Sequence, residues 1–158
     1  MLVGKVLRSP TAHARIKSID TSKARALLGV RAVVTGGDLP QISVGASDPA
    51  GIVSAKDRYF SMELLARDKV LFHGHPVAAV AATSSDVAEE ALDLIDVQYE
   101  DLPLVLDPLE AMRPESALLH DDLYMKHSNC RADTPSNVAE HLELGRGNVD
   151  AGFKEADT

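Results

Sequence analysis

The chain has 158 residues, 45% of them hydrophobic, with a net charge of −8, which suits one ordinary domain with at most a partial second and excludes a disordered segment or a disulfide-stapled miniprotein. Its single cysteine, Cys130, excludes an internal disulfide, an iron–sulfur cluster or a multi-cysteine zinc site held by this chain alone. The acidic balance opposes general nucleic-acid binding, and the longest unbroken apolar run, Val77 to Ala82, is far too short to span a bilayer, so a soluble, cytoplasmic protein is expected.

Val3 to Leu7 and Ala12 to Ile19 read as strands separated by Arg8-Ser9-Pro10-Thr11, the second setting Ala14, Ile16 and Ser18 against His13, Arg15, Lys17 and Ile19. A short helix follows, capped by Asp20, Thr21 or Ser22, with Ala24, Leu27 and Leu28 at helical spacing and Gly29 as its stop. Val30 to Thr35 returns as a strand, Gly36-Gly37-Asp38-Leu39-Pro40 is turn chemistry, and Gln41 to Asp57 reads as a long surface loop. Lys69 to Phe72 and Val77 to Thr83 look like two strands joined by a tight turn through His73-Gly74-His75-Pro76. The second lacks polar alternation and is expected to be covered on both faces.

Asp86 to Ile95 is the clearest helix, capped by Ser84, Ser85 or Asp86, with Ala88, Ala91, Leu92 and Ile95 on one apolar face. Val97 to Tyr99 completes a strand, helix, strand unit, and Asp107-Pro108-Leu109-Glu110 starts a short helix ending near Met112. Residues 113–137 lose periodicity and read as a linker or excursion. Val138 to Leu144 resumes as a strand, Gly145-Arg146-Gly147 turns, and Asn148 caps a helix in which Val149 and Phe153 share a face. A strand and short helix with nothing after them read as a structure cut through. The expected division is therefore a domain over 1–112, a linker over 113–137 and the start of a next domain over 138–158.

Charge is uneven: residues 1–79 carry 11 basic and 6 acidic side chains, residues 80–158 carry 5 and 18. A solvated acidic face beside a basic one is the favoured reading, with charge-matched docking the sharper alternative.

No catalytic, cofactor-binding or metal-ligating residue is assigned from the sequence. His73 and His75 would share one side of a strand, but two ligands make no zinc site, and Gly74 and Pro76 favour a turn. His13, His120, His127 and His141 are isolated; Glu89-Glu90, Glu100-Asp101 and Asp121-Asp122 are adjacent acids that point apart and solubilise. Gly145-Arg146-Gly147-Asn148 lacks the third glycine of a dinucleotide fingerprint and the lysine of a phosphate loop. Cys130 has no base placed beside it.

Three stretches carry a family resemblance. They are Gly4-Lys5-Val6-Leu7-Arg8-Ser9-Pro10-Thr11-Ala12-His13-Ala14-Arg15-Ile16, running on to Gly37-Asp38-Leu39-Pro40; Gly74-His75-Pro76-Val77 to Ala82 with Ala88-Glu89-Glu90-Ala91 and Val97-Gln98-Tyr99-Glu100-Asp101-Leu102-Pro103; and Gly147 to Asp157. Together the chain resembles the N-terminal α/β hammerhead domain of the molybdenum-containing large subunit of the xanthine dehydrogenase and aldehyde oxidase family. Thr11 stands where that family commonly has histidine and Asn148 where it has aspartate.

The resemblance implies an α+β fold, a mixed sheet with flanking helices, and an oxidoreductase whose molybdenum–pterin cofactor and base glutamate lie downstream of this region. Electrons in that family leave through [2Fe–2S] clusters, commonly to FAD, on other domains or subunits. No cofactor is then expected on this chain, which is inactive alone and packs with the rest of the molybdenum subunit and with iron–sulfur and flavin partners. Isolated, it is expected to self-associate. The alternative is a free-standing binding or assembly protein that reuses the fold.

Overall fold

The computed structural model describes residues 1–40, 62–127, 130–143 and 147–156. The chain divides into two compact units, Met1–Leu104 and Val105–Thr158.

In the first unit, β1 (Val3–Arg8), β5 (Pro76–Ala82) and β3 (Val30–Thr35) form one sheet in the order β1-β5-β3. A second sheet, in the order β4-β2-β6, contains β4 (Lys69–Val70), β2 (Ala14–Asp20) and β6 (Asp96–Asp101). Every pair in both sheets is antiparallel. The helices of this unit are α1 (Ser22–Ala26) and α2 (Ser85–Asp93), with a 3-10 turn at Gly36–Asp38.

β5 takes the centre of the first sheet, where its valines suit a strand and its alanines let a helix pack closely on it. Its faces are unequal. Ala78, Val80 and Ala82 are buried against Ala24 of α1 and Ala88, Ala91 and Ile95 of the α2 region, whereas Ala79 and Ala81 are only half-buried. The expected covering of both faces therefore holds on one side. Small side chains on both surfaces let helix and sheet approach closely, which is how a chain this poor in aromatics fills a core. α2 forms where its apolar positions recur at helical spacing, and the Ser84 hydroxyl accepts the Val87 N–H at 3.3 Å.

The second sheet has its own small core of Ala66, Val70 and Val77, against which Ile16, Ile19, Val97 and Tyr99 pack. A bulge in β2 lets Ile19 reach it. Ile16 pairs with Tyr99 and Ser18 with Gln98, so Lys17 is the extra residue, and the strict alternation expected from sequence is reset beyond it. Ile19, instead of Ser18, joins Ile16 on the inner side. Burial of each valine contributes about 1.5–3 kcal/mol, while the exposed Lys17–Glu100 ion pair, 3.7 Å apart, contributes about 0–1 kcal/mol. Packing decides the fold.

Two expected connections differ. β4 and β5 do not pair as a hairpin: β4 bonds β2 and β5 bonds β1 and β3, so the turn between them carries the chain from one sheet to the other. β5, α2 and β6 follow in order as expected, yet the two strands belong to different sheets.

The second unit contains α3 (Pro108–Ala111), β7 (Tyr124–His127), β8 (Cys130–Pro135), β9 (Glu140–His141) and α4 (Val149–Glu155). Asp107 caps α3 as expected, accepting from Leu109 N at 2.8 Å and Glu110 N at 2.9 Å. The stretch 113–137, expected as a linker, instead holds β7 and β8, antiparallel to each other, and the strand expected over Val138 to Leu144 contributes only β9, parallel to β7. Order here comes from polar chemistry without period. The Asn137 amide donates to the carbonyls of Ala117 (2.9 Å) and Ala111 (3.2 Å) while its oxygen accepts from Leu119 N at 3.0 Å. The α+β class holds, with parallel pairing among the described residues found only between β7 and β9. The long loop expected over Gln41 to Asp57 lies outside the described residues.

The turn Gly36–Asp38 is fixed by Asp38, whose carboxylate accepts from Thr35 N at 2.7 Å and from the Thr35 hydroxyl at 2.8 Å. These bonds, with Arg25 nearby, hold the Asp38 carboxyl below its ordinary range. A side chain on Gly36 would meet the Ala66 carbonyl oxygen at 2.6 Å, whereas one on Gly37 finds nothing nearer than the Thr35 hydroxyl at 3.5 Å. Gly36→Ala is therefore expected to lower stability in urea unfolding by about 1–3 kcal/mol, and Gly37→Ala by less than about 1 kcal/mol. Equal effects would contradict the packing of this turn on Ala66.

Candidate functional site

The buried polar side chains of the first unit gather where the chain passes between its two sheets. Residues 9–13 leave β1 for β2 and residues 71–75 leave β4 for β5, running in opposite directions. They are bonded to each other: Ser9 N–H donates to the His75 carbonyl at 2.9 Å and Gly74 N–H to the Ser9 carbonyl at 3.0 Å. Arg8 adds a guanidinium bond to the Gly74 carbonyl at 2.9 Å. The two crossings form one two-stranded ribbon, continuous with the β1–β5 pairing at one end and with the Ala14–Val70 pair of β2 and β4 at the other. Gly74 has φ of 83°, a backbone conformation open to glycine and strained for other residues.

Ser9, His13 and His75 are buried here, at 2%, 4% and 0% exposure. The Ser9 hydroxyl lies 2.9 Å from the Thr11 carbonyl, which accepts from it, and it accepts from Thr11 N. His13 Nδ1 lies 2.7 Å from the Pro103 carbonyl and, since a carbonyl only accepts, carries the proton. His75 shows the opposite arrangement. Its Nδ1 accepts Leu71 N–H at 3.2 Å, which places the ring proton on Nε2. Neither Nε2 has a hydrogen-bond partner among the described residues. Phe72 stacks on the His75 ring, centroids 4.5 Å apart.

Burial pushes the His75 imidazole below its ordinary range, partly opposed by the main chain of Met62 and Glu63 and by the Glu63 carboxylate. Burial also raises the Tyr99 hydroxyl, opposed by its hydrogen bond with Ser9.

A serine and a histidine side by side invite a nucleophile–base reading, but here the contact between Ser9 and His75 runs through main-chain atoms and the hydroxyl turns to Thr11. These polar groups shape backbone.

His73 and His75 do not share a side: His73 is exposed and His75 fully buried, because Gly74 breaks the alternation. The two-ligand arrangement is thereby lost, and among the described residues no three His, Cys, Asp or Glu side chains come together to hold a metal. Glu89 pairs with Lys5 and Glu100 with Lys17 at the surface. Cys130 opens β8 opposite His127, and the readings of both side chains fall outside the described ones. Gly145 and Arg146 also lie outside the described residues, while the Asn148 carbonyl accepts Gly152 N–H at the start of α4. His120 and His141 lie in the second unit, His141 in β9. Sequence reasoning missed the union of Ser9, His13 and His75. Its only signal was that Arg8-Ser9-Pro10-Thr11 and His73-Gly74-His75-Pro76 both interrupt strands that prove to be partners.

A family model described as the aldehyde oxidase and xanthine dehydrogenase a/b hammerhead domain matches residues 1–103. The chain is 42% identical over 160 residues to the carbon monoxide dehydrogenase large chain of Afipia carboxidovorans, covering 99% of this chain and 19% of that one. It is 37% identical to the nicotinate dehydrogenase large molybdopterin subunit of Eubacterium barkeri, covering 99% of this chain and 32% of that subunit. Among solved structures, reconstituted CO dehydrogenase from Oligotropha carboxidovorans superposes with a TM-score of 0.67 at 35% identity, over 99% of this chain and 19% of that one. The chain thus spans less than a third of the length of these relatives. No helix among the described residues is long and apolar enough to cross a membrane.

The two buried imidazoles should differ in long-range proton–nitrogen spectra of the chain at neutral pH, His13 with its proton on Nδ1 and His75 with its proton on Nε2. The same tautomer at both rings would contradict the bonding described.

Proposed function

The chain belongs to the aldehyde oxidase and xanthine dehydrogenase a/b hammerhead domain family, and on that premise we propose that it is a packing and assembly block of a cytoplasmic, molybdenum-dependent oxidoreductase with no turnover of its own. One observation supports the reading most strongly: Ser9, His13 and His75 direct their bonds to main chain or to neighbouring structural side chains of their own unit, so that Ser9 and His75 do not pair as nucleophile and base. Residues from about Val138 onward begin the adjoining pterin-binding region, and residues 113–137 lead to it.

A molybdenum–pterin cofactor supplies the redox centre of such an enzyme, with [2Fe–2S] clusters and FAD on other domains or subunits. The buried polar side chains of the ribbon are already bonded within their unit, with His75 held between the Phe72 ring and the Leu71 amide, which supports placing that cofactor on polypeptide outside this chain. On this reading the block's partners are the remaining molybdenum subunit and the iron–sulfur and flavin components. Leu106, Leu109 and Met112, exposed at 79%, 74% and 61%, favour association in the isolated chain.

The purified 158-residue chain, offered the molybdenum–pterin cofactor, is expected to retain no stoichiometric molybdenum by elemental analysis and to reduce no dye with aldehyde, purine or carbon monoxide. Stoichiometric metal or turnover would overturn the proposal. In sedimentation the same chain should self-associate, and a stable monomer that binds no apolar dye would oppose the association.

A further inference from the structure

The two buried imidazoles of the ribbon respond differently to a proton. On His13 a proton adds at Nε2 and leaves the Nδ1 bond to the Pro103 carbonyl in place. On His75 it must add at Nδ1, the atom that accepts Leu71 N–H. Two N–H donors would then face each other, and the side-chain bond across the 71–75 turn is lost, leaving the main-chain bond from His75 N–H to the Phe72 carbonyl at 3.1 Å. The charged ring would also sit where nothing of it reaches solvent, since His75 is 0% exposed.

The position of His75 carries this local event to the join between the sheets. Its carbonyl receives Ser9 N–H, and the neighbouring Gly74 bonds both the Ser9 carbonyl and Arg8. We propose that the ribbon is a proton-sensitive latch: uptake of one proton at His75 Nδ1 opens the 71–75 turn and the Ser9–His75 main-chain pair while the β1–β5–β3 ladders persist.

The titratable and charged groups around the latch come from each neighbouring element. Glu63, from the helical residues 62–64, favours the charged ring. Arg8 at the end of β1 bonds the Gly74 carbonyl. Tyr99 of β6 is hydrogen-bonded to Ser9, His13 lies in the opposite crossing, and His73 is exposed on the same turn. The sign follows from burial, which holds the folded ring below the ordinary range. The opened or unfolded chain takes up its proton near about pH 6.5, so the contribution of His75 is complete above that value and is lost as pH falls through it toward the folded value.

Amide exchange of the full chain, corrected for intrinsic rates, tests the latch. Between about pH 7.5 and pH 5, protection of Leu71, Gly74, His75 and Ser9 should fall about tenfold or more, while that of Ala79, Val80 and Ala81 in β5 holds. His75→Asn, whose Oδ1 takes the place of Nδ1 and still accepts Leu71 N–H, should abolish the response, and His13→Asn should keep it. No selective loss, or a response that survives in His75→Asn, would overturn the latch. Should His75→Asn not fold, nitrogen-15 titration of the His75 ring in the unaltered chain decides. Ring titration coinciding with the loss of Leu71 protection supports the latch, and titration without that loss overturns it.

Discussion

The reciprocal main-chain bonds between Ser9 and the Gly74–His75 turn hold the first unit together. β4 has only two residues, so the second sheet is little more than the β2–β6 pair and lacks the size of an independently stable element. The ribbon makes the two sheets one structure by carrying both crossings side by side and extending the β1–β5 pairing into the β2–β4 pairing. The packing of residues 65–67 depends on the same join. Ala66 N–H bonds the Pro76 carbonyl at 2.7 Å, and the Ala66 main chain presses on Gly36 so closely that no side chain fits there.

This arrangement accounts for the burial of two histidines and a serine at the join. Burying Ser9, His13 and His75 is costly unless each is bonded, and here each meets the main chain. Their bonds define turns that apolar contacts alone leave free to slip. The same commitment removes them from catalysis: the lone pair that would make His75 a base already holds the Leu71 amide. The chain belongs to a family whose relatives are several times its length.

Much of the fold was legible where one residue type dictates one outcome. The unbroken Val77 to Ala82 run identified the central strand, and Ser84 with Ala88 and Ala91 identified α2. Asp107 before Pro108 identified α3. What escaped was long-range. The bulge at Lys17, which brings Ile19 inward, depends on pairing with β6 about 80 residues away in sequence. The turn at His73 to Pro76 was recognised as a turn, but its local sequence does not specify whether the flanking strands pair with each other or with different sheets. β7 and β8 escaped because Asn137 organises the 111–119 main chain through side-chain bonds that leave no periodic trace. At the candidate site, the residues were visible individually, whereas their union required the antiparallel course of two crossings some 60 residues apart.

The most direct test of the ribbon as the join of the unit is hydrogen exchange of the Ser9 and Gly74 amides in the intact chain at neutral pH. They are predicted to exchange only with the Val80 amide of β5, at the rate of global opening. Exchange at the rate of an exposed loop, with Val80 still protected, would contradict that account.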